Sequence, residues 1–163
     1  MKTKQCSKCK KTKLVSEFRI NKKHSSGYSS WCKQCSAEAV AKWSLTPSGI
    51  YSSAKHQRRN NKPFNITRTE FYVWYGGQQK KCAYCDLPED DISKIDDVQL
   101  NRTRRLGIDC KNNERGYVLD NIVLSCLRCN FMKNDFLDFD AMREIGQRYV
   151  KPIWEKKLGK KLF

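Results

Sequence analysis

The chain has 163 residues, nine of them cysteine, and a formal net charge of +16. No stretch approaches the roughly 18 apolar residues of a membrane span. Residues 1–13 are lysine-rich and carry no apolar run of the kind a secretory signal needs, so the expected setting is the cytoplasm, where thiols stay reduced and paired cysteines bind metal more often than they form disulfides.

The charge is uneven. Residues 1–62 hold 15 Lys/Arg against Glu17 and Glu38, whereas residues 63–163 hold 18 against 15 acids. Each phosphate that such a basic block neutralises releases condensed counterions almost regardless of sequence, which makes nucleic acid the leading partner. The first motif is Cys6/Cys9. Two cysteines separated by two residues aim both thiolates at one ion from a tight turn, and two such pairs complete the tetrahedral four-thiolate shell of structural zinc. With Cys32/Cys35 they bound a zinc-ribbon-like or treble-clef-like module over residues 1–36. Leu14, Phe18 and Ile20 are its expected small core, and residues 25–30 its hairpin end. His24 lies in the insert, but four cysteines already fill the shell, so it is expected at the surface or facing phosphate.

Residues 37–43 read as a short helix, and Thr46-Pro47 as an N-cap followed by proline at the first helical position. The helix that follows, over 47–60, carries Lys55, Arg58 and Arg59, which suit a phosphate backbone. Residues 37–62 therefore read as a basic helical linker. Thr67 with Glu70 is a capping box opening a third helix, whose Phe71, Trp74 and Tyr75 form a core-facing stripe before Gly76-Gly77 ends it.

Cys82/Cys85 come next. The acids after them (Glu89, Asp90, Asp91, Asp96, Asp97) read as a solvated insertion without an apolar frame. Residues 106–109 and 122–125 read as two strands and 126–133 as the start of a helix. Cys126/Cys129 stand at that helix entrance and Cys82/Cys85 upstream, giving a ββα unit with a second four-cysteine zinc site. Residues 136–150 have helical spacing behind a cap at Asp138 or Asp140. Residues 151–163 form a basic tail with several apolar side chains.

Three features stand together here: Asp109 ends the first strand, Asn121 opens the second, and Cys126/Cys129 is followed directly by Asn130. On these residues the segment from 82 to about 150 resembles the HNH, or ββα-metal, endonuclease family, particularly free-standing phage members with an N-terminal four-cysteine zinc module. The resemblance implies a small, zinc-stabilised α+β protein with a zinc module at 1–36, a linker at 37–62, an HNH domain at 63–150 and a tail at 151–163. It implies a divalent-metal-dependent endonuclease acting on double-stranded DNA, in the host cytoplasm if phage-encoded. Asp109 and Asn130 would hold Mg2+ or Mn2+, Asn121 would brace the loop between the strands, and the zinc sites would only build the scaffold. One carboxylate and one amide carbonyl leave open positions for water and phosphate, the usual way Mg2+ is held.

The departure is Cys110, where the family commonly has a histidine acting as general base. A thiolate there, assisted by Lys111 and the bound cation, is one reading. Reaction without a side-chain base and binding without catalysis are two others, and Cys110 also reads as a small strand residue. Arg102, Arg104, Arg105, Arg115 and Lys133 flank the site, either as phosphate clamps or as a solvated rim. The alternative from a different class is a non-catalytic zinc-containing DNA-binding protein that keeps the scaffold.

Overall fold

Two stretches of chain fold around separate cores, Met1–Thr46 and Pro47–Phe163. The structure, a computed structural model, describes residues 1–56 and 63–163. The division falls inside the 37–62 stretch read as a linker: its first helix belongs to the first unit and its second helix to the other.

In the first unit, β1 (Thr3–Gln5) pairs antiparallel with β2 (Thr12–Leu14), and β3 (Phe18–Ile20) pairs antiparallel with β4 (Tyr28–Cys32), which runs into α1 (Lys33–Ser44). The core is Phe18 with Cys6, Cys32 and Cys35, flanked by Cys9 and Tyr28. Of the three apolar residues expected inside, only Phe18 is buried; Leu14 is 40% and Ile20 77% exposed. For Ile20 the reason is local. The β3–β4 pairing shifts register between Phe18 and Ile20, and such a slip turns the next side chain to the opposite face. One buried aromatic and a cluster of thiols make too small an apolar core to hold such a unit by burial alone.

The second unit opens with α2 (Pro47–His56) and α3 (Arg68–Gly77). Thr67 and Glu70 exchange the hydrogen bonds of a capping box. Phe71 and Tyr75 are buried and Trp74 packs against the same core, with the Tyr51 and Phe71 rings 5.5 Å apart. The acidic stretch is not a solvated insertion. It folds into a 3-10 turn (Glu89–Lys94) and α4 (Val98–Thr103), and Ile92, Ile95 and Leu100 are buried between its acids. That spacing supplies the apolar frame. Asp91 is inside as well, bonded to Lys94 at 2.7 Å and to Lys160 at 2.6 Å. Asp97 accepts the first N–H groups of α4 and pairs with Arg128.

The ββα unit is a hairpin of β5 (Gly107–Cys110) and β6 (Ile122–Ser125), in the register Asp109 opposite Val123 and Cys110 opposite Ile122, followed by α5 (Leu127–Lys133). Then come α6 (Phe139–Ile145), capped by Asp138, a π turn (Gly146–Val150) and α7 (Lys151–Leu158). Gly146 passes so close to the Tyr84 carbonyl that any side chain there would collide with it. The tail is a docked element: Trp154 and Leu162 are buried in the core, and Lys151 binds Asp86 at 2.8 Å. No helix among the described residues is long and apolar enough to cross a membrane.

Candidate active site

Each unit gathers four cysteines, Cys6, Cys9, Cys32 and Cys35 in the first and Cys82, Cys85, Cys126 and Cys129 in the second, with the four sulfurs of each group within 4.8 Å of one another. The two groups are built alike. The leading pair sits on a turn whose next residue is left-handed, Lys10 at φ 61° and Asp86 at φ 57°, where the amides of Lys10 and Asp86 bond back to the carbonyls of Cys6 and Cys82 at 2.9 and 3.0 Å. The second pair opens a helix. The Cys32 sulfur accepts the Cys35 N–H and the Cys126 sulfur accepts the Cys129 N–H, both at 3.5 Å, while Cys32 N–H donates to the Cys6 sulfur at 3.3 Å.

Sulfurs so close cannot all be thiolates without a cation among them. Burial raises the Cys6 thiol, but the backbone N–H groups of Cys32, Cys9 and Lys8 outweigh it and bring it down to about 6. Cys35, buried among the other three, is pushed up to about 12. A tetrahedral ion with bonds of about 2.3 Å needs sulfurs about 3.8 Å apart, and Cys85 and Cys126 stand at 3.9 Å. Both groups fit a zinc module.

Asp109 lies beside the second cluster, buried on β5. Its Oδ1 accepts the Cys110 N–H at 2.9 Å and its Oδ2 the Tyr84 hydroxyl at 2.8 Å, so the knuckle between Cys82 and Cys85 also orients the carboxylate. Burial, and next the charge of Asp109, push the Tyr84 phenol above its ordinary range. Lys133 Nζ approaches Asp109 Oδ2 at 3.9 Å. Asn130, three residues before Lys133, lies on the same face of α5. Its Nδ2 donates to Ser125 Oγ at 3.5 Å.

Asn121 is buried and fastens the loop between the strands: its Oδ1 accepts the Asn112 N–H at 3.0 Å, and its Nδ2 donates to the Asn112 and Gly116 carbonyls, each at 2.7 Å. Gly116 closes that loop at φ +66°, with Pro63 so near that an added Cβ would lie 2.6 Å from its carbonyl oxygen. Cys110 is sealed from solvent, and Tyr117 lies nearby. Lys111 does not turn toward it but reaches the Asp120 carbonyl at 3.1 Å.

The proposed DNA-facing cations divide into exposed and buried ones among the described residues. Lys55 and Arg104 are exposed, the latter in the left-handed C-cap of α4. Arg102 is exposed near Gln99, and Arg115 is exposed but pairs with Asp120 at 2.5 Å. Arg105 is turned inward instead, donating to the Leu106 carbonyl and to Ser53 Oγ at 2.9 and 3.3 Å. Lys133 is 0% exposed. Both are withdrawn from solvent. Arg58 and Arg59 lie outside the described residues. Tyr84 and Asn113 carry no mark in the sequence; a tyrosine inside a cysteine knuckle gives no signal of the carboxylate it meets.

No protein-family model matches the chain, and no curated relative does either. Among solved structures the chain is similar to the rare-cutting HNH restriction endonuclease PacI, a protein described as exhibiting an extraordinary mechanism of DNA perturbation. The TM-score is 0.54 at 23% identity, over 94% of this chain and 96% of that one. At that identity the likeness establishes a common fold.

Proposed function

Starting from a fold shared with an HNH restriction endonuclease, we propose that this chain is a divalent-metal-dependent DNA endonuclease. Asp109 and Asn130 hold Mg2+ or Mn2+, and the two four-cysteine groups hold zinc. The observation that carries this is the approach of Lys133 Nζ to Asp109 Oδ2 at 3.9 Å, from the helix that also bears Asn130. A carboxylate offers about four lone-pair sites, so the hydrogen bonds from Tyr84 and Cys110 do not preclude a cation, and an amide carbonyl suits the same hard ion. The donor set therefore fits.

When bound, the ion offsets charge that develops on the phosphate and on the leaving oxygen. The chain's own residues do the rest. Tyr84 fixes the carboxylate, Asn121 holds the loop from 112 to 116, and the first unit, with eleven Lys/Arg against two acids, attracts the DNA backbone. Cys110, sealed against Tyr117, serves packing in this reading rather than proton transfer, so no side-chain base is assigned. The kinship with free-standing phage enzymes rests on the sequence pattern.

Plasmid DNA incubated with the zinc-loaded protein and Mg2+ or Mn2+ tests the proposal. Cleavage by the wild type that Asp109→Ala and Asn130→Ala each abolish is the expected result. Nicking that survives both substitutions overturns the site, and binding without any nicking leaves a DNA-binding scaffold.

A further inference from the structure

Lys133 is the one wholly buried cation among the described residues, with 0% exposure, and its Nζ sits 3.9 Å from Asp109 Oδ2 and 3.3 Å from Asn113 Oδ1. Taking an ammonium out of water is costly, and a well-placed counter-charge offsets that cost. Here the counter-charge is the carboxylate assigned above to a metal ion. The same oxygen therefore serves a resident cation and an incoming one.

We propose that Lys133 is a positioning residue that makes divalent-cation binding at Asp109 conditional on a DNA phosphate. The inference rests on the reading of Asp109 as a metal ligand. The ammonium offsets the carboxylate, so a dication arriving alone meets less negative charge than Asp109 by itself would offer; one arriving with a phosphate brings its own compensation. A single and a double positive charge about 5 Å apart repel enough to weaken binding roughly tenfold even at the dielectric of water, and more in a drier site. The thiolate cluster beyond Tyr84 is present whether or not Lys133 is, and so cancels in a comparison of variants. A lysine with a purely structural role behaves oppositely, since its loss would loosen Asp109 and weaken the metal.

The test is Mn2+ binding to the zinc-loaded full chain, read from the electron paramagnetic resonance of the free ion. It is run with and without a phosphorothioate duplex and corrected for ion held by the duplex itself. Lys133→Met is expected to bind Mn2+ about tenfold or more tightly than wild type without DNA. The duplex should tighten wild-type binding by a similar factor and Lys133→Met by less. A folded Lys133→Met, with two zinc ions and a wild-type circular dichroism spectrum, that binds Mn2+ no more tightly overturns the proposal. Should that variant fail to fold, equal wild-type affinity with and without duplex overturns it instead. Mn2+ retained by the double variant Asp109→Ala/Lys133→Met would sink the metal-ligand reading itself, a separate failure.

Discussion

The two units are the same local device used twice. Each has a left-handed knuckle after the first cysteine pair, a hairpin, and a helix whose N-cap is the third cysteine. What differs is the furnishing. In the second unit the hairpin loop and helix carry Asp109, Asn121 and Asn130, and α3, α6 and α7 wrap a large apolar core around them. In the first unit the corresponding surfaces carry lysines, and the core is Phe18 and thiols. A turn of this kind fixes the backbone without specifying what it presents, so in the proposed reading one scaffold is the electrostatic handle and the other the reaction site.

That parallel can be broken most severely at the cysteines. Cys32→Ser and Cys126→Ser should each lower bound zinc from two ions to one, and each should unfold its own unit, with losses on the order of 10 kcal/mol. Zinc content and amide hydrogen exchange read both effects. Retention of two ions by either variant would end the parallel. At the next scale, Phe71→Ala should cost about 3–5 kcal/mol in urea unfolding of the second unit, as for other large core aromatics. Phe18→Ala in the zinc-loaded first unit should cost clearly less, because the metal rather than the ring closes that core. Equal losses would show the small core to be hydrophobic after all.

The division of labour predicts a smaller, salt-dependent effect. Lys8→Gln, Lys10→Gln and Lys11→Gln together should weaken DNA binding and flatten its dependence on log salt by roughly 0.9 for each phosphate that is no longer neutralised. Arg105→Gln, whose guanidinium faces inward, should leave that slope unchanged. An unaltered slope in the triple-lysine variant would remove the first unit from the DNA interface.

The smallest effect is expected at the docked tail. Hydrogen bonds from Lys160 and then Lys94 hold Asp91 below the ordinary carboxylate range, against the opposing effect of burial. A carboxyl lowered on folding adds stability that is complete above its unfolded value, near 4, and lost as pH falls through the folded value beneath it. Between pH 7 and pH 3, wild type should therefore lose more of its unfolding midpoint than Asp91→Asn, with tryptophan fluorescence as the readout. Identical losses would assign the docking of the tail to Trp154 and Leu162 alone.

Much of this was legible because it is local. The cysteine spacing marks both clusters. The Thr67–Glu70 capping box, proline at the start of α2 and the Asp138 cap of α6 each depend on residues within one helical turn. The strands at Asp109 and Ile122 follow from short apolar runs between turn residues. The misreadings share a different character. Leu14 and Ile20 look like core and are exposed, the acids after Cys85 look solvated and frame a buried turn, and Lys133 and Arg105 look like a rim and point inward.

From the order of residues alone came the four cysteine pairs, the ββα sequence of elements and the uneven charge, since each is read from residues close together along the chain. Which cations face solvent, where the tail goes and what meets Asp109 were decided only by the folded chain. Burial of a charge depends on the partner that arrives from far away in sequence, as Tyr84 and Lys133 do at Asp109, and the cost of leaving water is met or not met by that partner.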